Sequence, residues 1–73
     1  MAEPTLTHSQ FINAANLVTA MAVYEIAGKY NKNQTEVFLK FMQSRTAQAL
    51  YDPETALWCE GPSAVAAEFE SEM

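Results

Sequence analysis

The fold is decided by residues 10–27, which read QFINAANLVTAMAVYEIA. If residues 9–29 form a helix, Asn13, Asn16 and Thr19 share one narrow polar stripe, and most of the remaining surface is apolar or alanine. A helix that is apolar on so many sides must be buried on more than one face. A membrane span needs about 20 mostly apolar residues, and polar side chains interrupt this stretch. The pattern therefore predicts the central core helix of an all-α fold.

Shorter helices are predicted around this central helix. The second runs from about residue 34 to residue 44, with Asn33 as its N-cap. Its apolar stripe consists of Val37, Phe38, Phe41 and Met42. A short third helix covers residues 46–51, and a fourth starts at the Gly61-Pro62 pair, because proline fits the first helical turn. The apolar row of the fourth helix is Val65, Phe69 and Met73, beside Ala66.

Asp52-Pro53 ends the third helix, and residues 52–55 are predicted to form a type I turn with proline at its second position. Residues 56–59 are too short for a helix and are expected to be extended, so the prediction for residues 52–61 is an irregular strap. The complete prediction is one small helical domain over residues 1–73, a bundle of three main helices plus one short helix. Residues 1–7 lack any periodicity and are expected to fray.

The composition suits a small folded domain without covalent cross-links. Hydrophobic residues make up 49% of the 73-residue chain, which argues against disorder. Cys59 is the only cysteine, so no internal disulfide can form. The start MAEPTLTHSQ has no basic residue and does not resemble a secretory signal. We therefore expect a cytoplasmic protein.

Charge is distributed unevenly along the chain. The formal net charge is −5, and residues 52–73 contain six acidic and no basic side chains. The segment from Lys29 to Arg45 contains all four basic residues. Such a chain is a poor ligand for nucleic acid, which needs clustered lysine and arginine, and for anionic membranes. The acidic end either aids solubility or offers a surface to a basic partner.

The sequence contains no pattern that indicates catalysis. His8 and Cys59 are single residues of their type, too few for a zinc site, and acidic Glu60 adjoins Cys59 where a nucleophilic thiol would need a basic neighbour. Cys59 is expected to be a small core side chain. Asp52 and Glu54 lack the glycine and downstream ligands of a calcium loop. We predict that the chain is not an enzyme and uses no metal or cofactor.

Two surfaces are candidates for contact with other chains. Aromatic and acidic residues of the C-terminal third are candidate contacts for a protein partner: Tyr51, Leu57, Trp58, Glu68 and Glu72. Leu57 and Trp58 could equally close one end of the core. The central helix is apolar on more sides than the short helices can cover, so a homodimer is expected. Its candidate contacts are Phe11, Val18, Met21 and Ala22.

Several short runs resemble a pattern in small, uncharacterised bacterial helical proteins, a domain family of unknown function. These runs are residues 44–47 (SRTA), 50–52 (LYD), 57–58 (LW) and 60–62 (EGP), together with a helix start from Asn31 or Asn33 through Glu36-Val37. After residue 52 the chain has Pro-Glu-Thr where that family tends to have Leu-His-Thr. The resemblance covers residues 11–72 and implies an accessory or antitoxin-like role.

The sequence therefore favours a non-catalytic, cytosolic module that binds a protein partner. Two alternatives stay open. One is a small structural protein that associates only with itself, and the other is an acidic mimic of nucleic acid that occupies a basic site.

Overall fold

The computed structural model describes residues 7–73, which form an all-α fold without a β-strand in that range. The α-helices are α1 His8–Tyr30, α2 Gln34–Met42, α3 Arg45–Leu50 and α4 Pro62–Glu70. The predicted bundle of three main helices and one short helix is confirmed. The expected frayed segment lies outside the described residues except for Thr7, which instead caps α1.

Helix α1 is the longest element and has well-defined ends. The Thr7 hydroxyl accepts a hydrogen bond from the Gln10 amide (3.1 Å), and the Gln10 side chain accepts one from the Thr7 amide (3.0 Å). At the other end, Asn31 adopts a left-handed conformation with φ 53° and stops the helix. By length and mean hydropathy (1.2) α1 could also span a membrane, but 44% of that window is buried inside the bundle.

The core lies where the four helices meet. Helix α1 packs mainly against α4 and α2, and α3 packs against α4 and α2. Each helix supplies one large side chain with no exposed surface: Ile26, Phe41, Leu50 and Val65. The rings of Phe41 and Phe69 meet edge to face with centroids 5.2 Å apart. The bundle is elongated, 44 × 20 × 18 Å, because α1 alone is about 34 Å long.

The irregular strap predicted for residues 52–61 is confirmed, as is its turn at residues 52–55, but residues 56–59 are not extended. The segment contains two 3₁₀ turns, Pro53–Thr55 and Leu57–Cys59. The Asp52 carboxylate accepts a bond from the Glu54 amide, which caps the first turn. A 3₁₀ turn closes with only three residues, so each turn fits into a run too short for an α-helix. In the second turn Leu57 points into the core, which leaves Cys59 exposed rather than buried as expected.

Three other expectations about burial are corrected by the structure. On α2, Val37 and Phe41 are buried, but Phe38 and Met42 lie on the outside because α1 covers only one side of that helix. Thr19, assigned to a polar stripe, is buried where Tyr51 covers it. Met73 extends past the end of α4 and is exposed.

Candidate functional site

The exposed side of α1 carries three large apolar side chains. Leu17, Met21 and Tyr24 are 62%, 49% and 69% exposed. Their spacing of four and then three residues places them on one helical face. Such side chains usually face the interior of a monomer, so a row of them in solvent calls for an explanation.

Helix α2 widens this surface. Phe38 and Met42 are 43% and 42% exposed and line a groove of about 480 Å³ between α1 and α2. A second groove of the same volume lies on the other side of α1, where Met21 and Tyr24 meet the start of α4. Ala20 lines both grooves and joins them into one surface. We call this surface the apolar face; it consists of Leu17, Ala20, Met21, Tyr24, Phe38 and Met42.

The apolar face carries no charge, and three polar side chains at its edge, those of Asn16, Tyr51 and Glu25, are hydrogen-bonded within the chain. The Tyr51 hydroxyl donates to the Asn16 side-chain oxygen (2.6 Å) and is hydrogen-bonded to the Thr19 hydroxyl (3.1 Å). The Glu25 carboxylate, at the rim of the second groove, accepts a bond from the Ser63 hydroxyl (3.2 Å). The face therefore offers a partner apolar area rather than a pattern of donors and acceptors.

The aromatic residues predicted to bind a partner are largely used within the fold. Tyr51 is half-buried by the contacts just described. Leu57 is buried in the core. Trp58 is half-buried and packs edge to face on Phe11, with ring centroids 5.7 Å apart. Its indole nitrogen is buried and has no hydrogen-bond partner among the described residues. Of the two alternatives for Leu57 and Trp58, the structure shows closure of the core.

Glu72, another predicted partner contact, instead holds the start of α3. Its carboxylate accepts bonds from the amides of Arg45 (2.9 Å) and Thr46 (2.7 Å) and from the Thr46 hydroxyl. The Thr46 hydroxyl is the largest cause that lowers the pKa of Glu72, followed by the Arg45 amide. Glu68 remains exposed on α4, as a partner contact requires.

A second carboxylate ties α4 to the end of α1. Glu70 accepts bonds from the Lys29 ammonium (2.8 Å) and the Tyr30 hydroxyl (2.6 Å). The pKa of Glu70 is lowered chiefly by the hydrogen bond from Lys29 and then by that from Tyr30. The same contacts raise the pKa of Lys29 and of Tyr30. Two acids of the C-terminal third therefore have partners inside the chain.

The predicted dimer contacts are mostly wrong. Phe11, Val18 and Ala22 are buried, because α4 and the second 3₁₀ turn cover that side of α1. Met21 alone lies on the exposed side. The sequence did not single out Leu17, Tyr24, Phe38 and Met42 as exposed apolar side chains. A helical wheel of α1 drawn around Ile26 as the most buried position would have placed Leu17 and Tyr24 with Met21.

No group of three or more His, Cys, Asp or Glu side chains that could hold a metal ion occurs in residues 7–73. Comparisons with models of known protein families, with curated proteins and with solved structures find no match for this chain.

Proposed function

We propose that the chain is a non-catalytic, cytosolic protein-interaction module whose binding surface is the apolar face. One observation carries this proposal: the five large side chains of the face are 42–69% exposed, three of them on one face of α1 and two along the groove between α1 and α2. At roughly 200 Å² for each fully exposed large side chain, they present about 500 Å². Patches of about 300–600 Å² are the largest on typical monomers and are often functional.

The position of the face also supports binding. It lies on α1 and α2, whose ends are fixed by the caps at Thr7 and Asn33. Because these helices are already formed in the free chain, little of its backbone entropy is lost when a partner binds. Met21 and Met42 add flexible side chains that adapt to the shape of a partner.

The alternative of an acidic nucleic-acid mimic has less support. Such a mimic needs carboxylates free on one surface at a spacing like that of phosphates. Glu70 is paired with Lys29 and Tyr30, and Glu72 caps α3. Both carboxylates therefore contribute to the bundle itself.

Capture experiments test the proposal with a matched pair of variants. Met21→Lys places a charge in the apolar face, whereas Met73→Lys makes the same change at a methionine that is 60% exposed and lies outside it. Tagged wild-type and variant chains are used to capture proteins from cells that naturally contain this chain. We expect wild type and Met73→Lys to retain the same protein and Met21→Lys to lose it.

The captured protein is then purified and titrated against all three chains. An affinity that Met21→Lys reduces at least about tenfold, with Met73→Lys unchanged, supports the proposal. Equal affinity for the two variants would show that the apolar face is not the binding surface.

A further inference from the structure

We propose that the occupant of the apolar face is a second copy of this chain, bound antiparallel about a two-fold axis that passes close to Ala20 and Met21. This inference rests on the proposed function, because it names the partner of the same surface. Three features of the described residues support it: the exposed area, the shape of the face and the placement of charge.

The area is sufficient for a small symmetric interface. A two-fold axis uses the same patch on both copies. With about 500 Å² on each copy, the pair buries about 1,000 Å², the area that a specific interface has to reach. The expected dimer is therefore one that dissociates on dilution.

The face is shaped to receive its own copy. Leu17, Met21 and Tyr24 form a ridge along α1. One groove of about 480 Å³ runs beside it between α1 and α2, and a second of the same volume is lined by Met21 and Tyr24 where they meet the start of α4. A two-fold rotation places the ridge of each copy beside the groove of the other. Ala20 lies between the grooves, and its small side chain allows two helices to approach closely.

Charge favours the antiparallel arrangement. Lys29 is already paired with Glu70 of its own chain, so Lys32, which lines a pocket with Tyr24 just past the end of α1, is the basic side chain at that end of the face. The acidic segment begins at Asp52, next to Tyr51, whose hydroxyl bonds to Asn16 at the other end of the face. An antiparallel pair brings Lys32 of each copy toward the acidic segment of the other. Exposed charges contribute little affinity, so they select the orientation while the apolar area holds the copies together.

The first test measures mass against concentration. Light scattering of the full chain should rise from the 8.1 kDa monomer toward twice that mass between about 1 and 500 µM, the range expected for a weak interface. Met21→Lys should raise the dissociation constant at least about tenfold, and Met73→Lys should leave it unchanged. Tyr24→Glu provides a second variant of the face if Met21→Lys does not fold.

The second test measures orientation in a Cys59→Ser background. Asn13→Cys and Gly28→Cys lie on the exposed side of α1 beyond the two ends of the face, and they are equally distant from its centre. A Cβ at Gly28 meets no atom within 4 Å, so the substitution fits. In an antiparallel dimer the two positions face each other. Mild oxidation of a mixture should therefore link the two variants to each other faster than it links either variant to itself.

Each contrary outcome overturns the proposal. A mass that stays at 8.1 kDa at the highest concentration excludes the dimer. The proposed function would still be supported in that case if Met21→Lys loses a different protein in the capture experiment. Equal dimerisation of Met21→Lys, Tyr24→Glu and wild type places the contact elsewhere. Faster linkage of each cysteine variant to itself shows a parallel pair.

Discussion

Replacing Phe41 by alanine removes the largest fully buried side chain of the bundle. Phe41 has no exposed surface and lies between α2 and the other helices, with its ring edge to face against Phe69. The variant Phe41→Ala leaves a void at the point where α2 and α4 meet. Small domains have few other contacts through which the surrounding helices could collapse into such a void.

The expected loss is large relative to the stability of the chain. Truncation of a buried phenylalanine to alanine costs about 3–5 kcal/mol. A chain of this length has a free energy of unfolding of about 4–11 kcal/mol, at about 0.05–0.15 kcal/mol per residue. The upper part of the loss is expected, because the contact with the Phe69 ring, worth about 1 kcal/mol, disappears as well.

Thermal melts followed by circular dichroism measure this loss. We expect the melting temperature of Phe41→Ala to fall by more than about 12 °C, or the variant to be largely unfolded at 25 °C. Phe38→Ala is the matched control, because Phe38 lies on the same helix and is 43% exposed. It should lose only about 1 kcal/mol, since less area is uncovered and alanine favours the helix. All samples are kept dilute enough to be monomeric by light scattering, because Phe38 belongs to the apolar face.

A melting temperature for Phe41→Ala within a couple of degrees of wild type would refute the assignment of the core. Equal losses for the two phenylalanines would refute the argument from burial.

Three further predictions concern individual side chains. The pKa values of Glu70 and Glu72 lie below the ordinary 4.5, so the unfolded chain binds more protons around that pH. The melting temperature should be highest above pH 4.5 and fall as the pH drops below that value. An equal fall in the double variant Glu70→Gln, Glu72→Gln would contradict this assignment. Exposed Cys59 should react with a thiol reagent without denaturant, and a rate that urea raises more than about tenfold would show a buried thiol. Tyr51→Phe keeps the ring but removes the two hydroxyl contacts, so urea unfolding should show a loss of about 1 kcal/mol; an unchanged midpoint would show that these bonds add nothing.

Local signals in the sequence were enough to predict the helices. Proline at position 62, asparagine at positions 31 and 33, and the apolar stretch after Thr7 mark helix ends through backbone chemistry that depends on few neighbours. The second 3₁₀ turn, Leu57–Cys59, was missed because it needs only three residues and leaves no periodic pattern. It has no side-chain cap, so no capping residue marks it in the sequence.

The candidate site was harder to predict, because an apolar residue looks the same on either side of a helix. Leu17 and Val18 are neighbours of similar character, yet Leu17 is exposed and Val18 is buried. Which side of α1 is covered depends on where α4 returns after residues 52–61. That return is fixed by long-range contacts, such as Lys29 to Glu70 and Phe11 to Trp58, which no local pattern encodes.

The composition of α1 connects the fold with the proposed function. One side of the helix is apolar because it forms the core with α2 and α4, as Ile26 and Ala15 do with no exposed surface. The core does not account for the other side, where Leu17, Met21 and Tyr24 remain 49–69% exposed. A monomer would gain solubility from polar residues at these positions, and core packing would change little. A second surface that covers the exposed side would explain the apolar character of both sides, and the proposed antiparallel copy would supply such a surface from the same helix.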